Sequence, residues 1–115
     1  MRSDPLDRAF AALADRTRRG VVDLLRKRDH RAGELAATLG VTPPALSRHL
    51  RVLRGSRLVE EIAHEQDGRV SVYRLRREPF ARLRAWVEHV ESLWQDQLTS
   101  FAAHVERTRG RGGRP

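Results

Sequence analysis

The segment PPALSRHLRVLR, residues 43–54, holds a hydroxyl, an imidazole and three guanidinium groups: Ser47, His49, Arg48, Arg51 and Arg54. Guanidinium groups carry forks of N–H donors that match phosphate oxygens and the acceptor edges of bases, and a hydroxyl serves either. The chemistry on offer is recognition of a polyanion. Bond-making chemistry has little to start from. The chain has no cysteine, no Gly-rich phosphate loop and no Ser–His–carboxylate pattern, and its five histidines are scattered. No catalytic residue, cofactor or enzymatic activity is expected.

These groups need a scaffold, and the surrounding sequence supplies one. Thr42 is an N-cap candidate and Pro43 takes the first helical position, where its missing N–H costs nothing. On a wheel of about 100° per residue, Leu46, Leu50 and Leu53 fall together as a stripe that must be buried. Pro44, Ser47, Arg48 and Arg51 fall opposite, and Ala45, His49 and Val52 lie toward one flank. Before them AGELAATL, residues 32–39, reads as a short helix with Leu35 and Leu39 inward, and Gly40-Val41-Thr42 is the turn. Two short helices joined by a three-residue turn containing glycine make a helix-turn-helix. The stripe anchors the second helix and the opposite face is left free to enter a groove.

Charge supports this reading. The net charge is +8. Residues 16–57 hold ten arginines and Lys27 against Asp23, Asp29 and Glu34, so this segment alone carries a net +8. Clustered cations seek a polyanion, most commonly nucleic acid. The 115 residues suffice for one compact domain. No apolar run approaches the roughly 20 residues needed to cross a bilayer, and the first residues, MRSDPLDRAF, lack a signal-peptide core. With no cysteine, a cytoplasmic location is expected.

The remaining elements frame the helix pair. Asp4-Pro5 opens a first helix over about 5–14, with Leu6, Phe10 and Leu13 at helical spacing. Asp15 caps a second, RTRRGVVDLLRKR, which buries Val21, Leu24 and Leu25; Gly20 weakens it by about 1 kcal/mol relative to alanine. The residues DHR at 29–31 break the pattern. LVEEIAHE and VSVYRL flank Asp67-Gly68, a pair that tolerates the positive φ of a type I′ turn and predicts a hairpin over 58–75. A two-residue loop there pairs Gln66 with Arg69, sets Ile62 opposite Tyr73, and puts Ile62, Tyr73 and Leu75 on one face. Arg69 then sits at the exposed tip. From Glu78-Pro79 a long helix begins. Phe80, Leu83, Val87, Val90, Trp94, Leu98, Phe101 and Val105 step by three or four residues like a coiled-coil seam, widened by Trp86 and Leu93. A helix of about 26 residues, near 39 Å, has more apolar length than a small winged helix covers, which implies a second copy. The tail RTRGRGGRP, residues 107–115, is expected to be disordered, leaving residues 1–106 as a single domain. The fold class is mainly α with a β-hairpin wing: a winged helix-turn-helix of about five helices plus a two-stranded wing.

LDRAFAALADRTRRGVVDLL, GELAATLGVTPPALSRHLRVLRGSRLV and DGRVSVYRL, in this order, resemble the ArsR family of bacterial dimeric winged-helix transcription repressors, across about residues 6–100. LSRHLRVLR followed by LV is the most specific part. The resemblance implies a homodimer formed through the first and last helices, with Leu6, Phe10, Leu13, Val87, Val90, Trp94, Leu98 and Phe101 as dimerisation residues. It makes 43–54 the recognition helix and 58–75 the wing. The partner implied is double-stranded DNA with an inverted-repeat operator. Many members release DNA on binding metal, but the ligands do not match here. The 32–39 helix has no cysteine. In the last helix Val87 stands where an aspartate is needed and Ser100 where a second histidine is needed, so His89, His104 and Glu106 make no metal site. Two departures bear on DNA. Arg16 follows Asp15 where the family often has proline, and Pro43 stands where a polar residue, frequently glutamine, often sits.

The residues expected at DNA are Thr42, Ser47, Arg48, His49, Arg51, Arg54, Arg69, Arg18 and Arg19. Ser47 and Arg48 are candidates for base or phosphate, and Arg51 and Arg54 for phosphate. His49 is either a phosphate donor or a packed histidine, Arg69 a minor-groove contact, and Arg18 or Arg19 a backbone contact. The function expected is sequence-specific regulation of transcription, as a repressor. Nonspecific nucleic-acid or nucleoid binding is the alternative. A protein-interaction module that has lost DNA binding is disfavoured by the basic helix.

Overall fold

Each of the first four helices begins where a local acceptor takes up a free backbone N–H. The computed structural model describes residues 4–64 and 67–112, with backbone alone at 63–64, 67–70 and 110–112. Helix α1, Pro5–Leu13, starts at Asp4, whose Oδ1 accepts from Leu6 N at 2.8 Å. Helix α2, Arg16–Leu25, starts at Asp15, whose Oδ2 accepts from Arg18 N at 3.0 Å. Strand β1 is His30–Arg31, and α3 is Ala32–Leu39. Glu34 Oε1 accepts from Arg31 N at 3.3 Å, and α3 ends at Gly40 in the left-handed region, φ 66°, where glycine carries no Cβ penalty. Helix α4, Pro43–Gly55, is capped by Thr42 Oγ1, which accepts from Ala45 N at 3.3 Å. Strands β2, Val59–His64, and β3, Asp67–Leu75, follow, and α5 runs Arg77–Gly112.

The chain divides into two compact units, Met1–Leu83 and Arg84–Pro115. The first holds the core: Ala9, Ala12, Val21, Leu25, Leu35, Ala36, Leu46, Leu50, Leu53, Leu58, Val59 and Tyr73, with Phe80 and Leu83 among the residues packed against it. In α1 the small residues Ala9 and Ala12 are buried while Phe10 stays 40% exposed. The alanines let α1 lie close to α2, and the larger side chains are left at the margin. Gly20 has a packing role that offsets its cost to the helix. A Cβ there would stand 2.7 Å from Leu39 Cδ2, so glycine lets α2 seat the end of α3. The second unit is the helical stretch from Arg84, along which Trp86, Val87, Val90, Leu93, Trp94, Leu98 and Phe101 are all exposed.

The sheet corrects the sequence reading in two ways. It has three strands in the order β1-β3-β2. The DHR break contributes β1, whose His30 and Arg31 pair antiparallel with Tyr73 and Val72. The hairpin register also differs. Glu61 pairs with Tyr73 and Ile62 with Val72, one residue off the expected alignment, and an irregularity between Ala63 and His64 then brings His64 opposite Asp67. Asp67 and Gly68 are therefore part of β3 rather than the turn, and Gln66 lies outside the described residues. Because side chains alternate faces, a one-residue shift changes which residues share a side. Tyr73 and Leu75 lie opposite Glu61 and Val59, and Ile62 is on the other face with Val72. This register buries Val59 at 2% exposure against the core, and that burial outweighs the local preference of Asp-Gly for a turn. At its other end, α5 continues through residues 107–112, which composition assigned to a disordered tail. Thr108 Oγ1 donates to the His104 carbonyl there at 2.9 Å, and the arginines favour helix.

The exit from α4 carries the described chain's positive-φ non-glycine residue, Arg57 at φ 60°. Leu58 N donates to Leu53 O and Arg57 N to Arg54 O, both at 3.0 Å, and Leu53 and Leu58 are each fully buried. This is a Schellman ending, in which glycine usually takes the left-handed position. Left-handed backbone costs a non-glycine residue about 1–2 kcal/mol, and glycine's extra freedom when unfolded returns part of that. Arg57→Gly is expected to raise stability by about 0.5 kcal/mol, read as a higher urea midpoint. A lower midpoint would mean that the Arg57 side chain makes compensating contacts.

Candidate nucleic-acid interface

The two helices of the motif are α3 and α4, joined by residues 40–42. Leu46, Leu50 and Leu53 are 1%, 3% and 0% exposed, so the expected stripe is the buried face of α4. Thr42, Ser47, Arg48 and Arg51 are exposed. Ser47, Arg48 and Arg51 have no hydrogen-bond or ion-pair partner among the described residues, and Thr42 Oγ1 is engaged as the cap. The outward face of α4 thus offers a hydroxyl and two unneutralised guanidinium groups.

The other arginines assigned to this surface have partners. Arg54 NH1 lies 2.9 Å from Glu61 Oε2, which ties the end of α4 to β2. Glu61 in turn lies across from Tyr73. Burial, then the charge of Glu61, push the Tyr73 phenol above its ordinary range. Arg19 NH1 donates to Leu13 O at 2.8 Å. Arg18 Nε and NH2 donate to Ala12 O at 2.6 Å and Ala11 O at 3.3 Å. Both arginines therefore close the C-terminus of α1, where cations complement the carbonyls and the helix dipole. Arg69 falls in β3, and its side chain lies outside the described residues.

His49 is half-buried at the flank. Its Nδ1 lies 3.3 Å from Arg18 NH1 and 3.8 Å from Asp15 Oδ2. Asp15 is held below the usual carboxylate range, first by the Arg18 N–H and then, against some desolvation, by the charges of His49 and Arg18. Sequence reasoning missed this junction of α1, α2 and α4. Its one sequence signal is the N-cap Asp15 three residues before Arg18. A second cluster lies away from α4. Glu34 accepts from Arg28 NH2 at 3.0 Å and is lowered chiefly by that bond, with buried His30 Nδ1 at 3.4 Å. Arg74 reaches Asp29 with Nε and NH2, at 3.2 and 3.1 Å.

Among the described residues no three His, Asp or Glu side chains converge as metal ligands, and no helix is long and apolar enough to cross a membrane. The residues placed at dimer contacts divide by burial. Leu6 and Leu13 are half-buried, whereas Phe10, Val87, Val90, Trp94, Leu98 and Phe101 are 40–67% exposed.

Residues 15–61, from the α2 cap to the start of β2, match the family described as bacterial regulatory protein, arsR family. The HTH-type transcriptional regulator Rv2034 of Mycobacterium tuberculosis is 39% identical over 100 residues, covering 87% of this chain and 88% of that one. The transcriptional repressor SdpR of Bacillus subtilis is 32% identical over 56 residues, 49% of this chain and 62% of that one. Among solved structures, the homodimeric winged helix-turn-helix DNA-binding domain Mb0332 of Mycobacterium bovis, residues 1–100, superposes with a TM-score of 0.61 at 28% identity, covering 82% of this chain and 84% of that one.

Proposed function

The chain belongs to the ArsR family of winged helix-turn-helix, DNA-binding transcriptional regulators and is not an enzyme, and from that premise we propose that it is a homodimeric, sequence-specific repressor. Helix α4 enters the major groove and the β2–β3 hairpin serves as the wing. Residues 1–106 act as one functional domain, dimerised through α1 and α5. The observation that carries this reading is the outward trio Ser47, Arg48 and Arg51, opposite a stripe that the core fully occupies. Among the described residues no carboxylate neutralises Arg48 or Arg51, which supports reading both charges as available to DNA.

The dimer reading rests on the exposed apolar run of α5, with support from the homodimeric relative. The repressor reading draws on the repressor among the relatives. Two-fold symmetry implies an inverted-repeat operator, with the two copies of α4 about 34 Å apart in successive major grooves. Operator sites come from enrichment of bound genomic fragments at near-physiological salt, followed by footprinting. If Arg48 reads a base, Arg48→Ala costs about 1–3 kcal/mol on operator DNA and relaxes preference at one symmetric position. Arg51→Ala weakens all sequences alike and lowers the salt slope by about two per dimer. Titration of operator and scrambled DNA at several salt concentrations separates these results. A wild type that barely distinguishes the two DNAs is the nonspecific binder instead. Unchanged affinity and slope on removing both arginines, with the fold intact, would move the DNA surface away from α4.

A further inference from the structure

We infer that Arg18 is a positioning residue that fixes the tautomer of His49, so that the imidazole presents a neutral Nε2–H donor to a DNA phosphate beside α4. The inference rests on the proposed docking of α4. Arginine can only donate, so the 3.3 Å contact between Arg18 NH1 and His49 Nδ1 makes Nδ1 the acceptor. In a neutral ring the proton then resides on Nε2. Nε2 has no hydrogen-bond partner among the described residues. The buried side-chain polar atom left without one is His30 Nδ1, not His49 Nε2. His49 keeps 23% of its side chain exposed, so its Nε2 edge is open to solvent on a helix whose adjacent Ser47 and Arg48 face outward.

The arginine is itself held from three sides. Its backbone N–H is bound by Asp15, and its Nε and NH2 are spent on the Ala12 and Ala11 carbonyls. One residue therefore links the end of α1, the cap of α2 and the flank of α4, with its guanidinium spanning α1 and α4 and its backbone N–H held by the cap. A guanidinium locked by two other bonds cannot swing away from Nδ1 without giving up its 2.6 Å bond to the Ala12 carbonyl. Asp15, at 3.8 Å from Nδ1, is the carboxylate that would take over if the ring became a cation. The Arg18 contact and the protonated ring are thus mutually exclusive, and the inference commits to the neutral donor.

The test has a spectroscopic and a binding arm. At about pH 8, above the ordinary imidazole range, nitrogen NMR of the DNA-free protein is expected to report His49 Nδ1 as the unprotonated nitrogen. In Arg18→Met the proton distributes over both nitrogens. On operator DNA, His49→Asn keeps an acceptor near Nδ1 and loses the outward donor. It is expected to bind about tenfold more weakly, with an unchanged salt slope, because a neutral donor releases no counterion. His49→Gln restores a donor near Nε2 and stays within about threefold of wild type. Arg18→Met falls about as far as His49→Asn, and the double variant falls no further.

A wild-type ring protonated on Nδ1 overturns the inference. So does His49→Asn binding like wild type while Arg48→Ala loses affinity, or a salt slope that drops with His49→Asn. If Arg18→Met does not fold, the wild-type tautomer and the two His49 variants still decide. Should Arg48→Ala and Arg51→Ala both leave affinity unchanged, the docking of α4 fails instead, a result distinct from any tautomer outcome.

Discussion

Replacing Trp94 and Leu98 together by glutamate is expected to convert a dimer into monomers and to abolish operator binding at concentrations where wild type is saturated. Both side chains are surplus to the single chain, at 60% and 44% exposed, so their replacement removes little from its core. In the proposed dimer they lie on the apolar run Val87–Phe101, where four buried carboxylates would face apolar partners at a cost well above that of any exposed substitution. A monomer presents one copy of α4. It forfeits the advantage of binding the second half-site intramolecularly, commonly worth at least about 100-fold. Sedimentation at micromolar concentration should give wild type near twice the 13.2 kDa chain mass and the variant near one. A monomeric wild type under those conditions would end the dimer proposal and, with it, the expectation of an inverted repeat.

The second large effect is on stability. Leu53→Ala is expected to cost about 2–5 kcal/mol, a large share of the 5–15 kcal/mol typical of a domain. Leu53 is fully buried in the stripe of α4, and its carbonyl accepts the closing bond from Leu58. Val52 is its neighbour in sequence and 41% exposed, and Val52→Ala should stay within about 0.5 kcal/mol. Urea unfolding should show a much lower midpoint for Leu53→Ala with an unchanged slope. Similar losses for the two variants would mean that the stripe is not what anchors the helix.

The legibility of this protein follows where local rules and tertiary packing agree. Helix α4 was readable because Thr42, Pro43 and the Leu46–Leu50–Leu53 spacing all point to one start and one buried face. The same holds for α2 and α3, where Asp15 and Gly40 mark the boundaries. Strand β1 was not readable, because two residues carry no periodicity and His30–Arg31 are extended only through pairing with β3. The hairpin register was misjudged because Asp67-Gly68 is a strong local signal, and it yields to the burial of Val59 and Tyr73. Arginine destinations were least readable. Nothing in RTRR says that Arg18 and Arg19 reach back six positions to α1 carbonyls, while Arg48 and Arg51 find no partner among the described residues. The sequence also offered no glycine at the left-handed position, although the Leu53–Leu58 spacing is the signature of that helix ending.

The strand order β1-β3-β2 leaves two edges, and both resist recruiting another strand. Strand β1 offers only two residues of open backbone. Strand β2 places Glu60 and Glu61 along its length and breaks its register near the end, and charged, irregular edges are poor templates for a further strand. Contact between two chains through their sheets would bring carboxylates on one β2 against those on the other. Newly made chains, which meet before any helix face is covered, are thus steered from ribbon-like aggregation. That protection is built into the two edge strands themselves and does not depend on any contact with DNA.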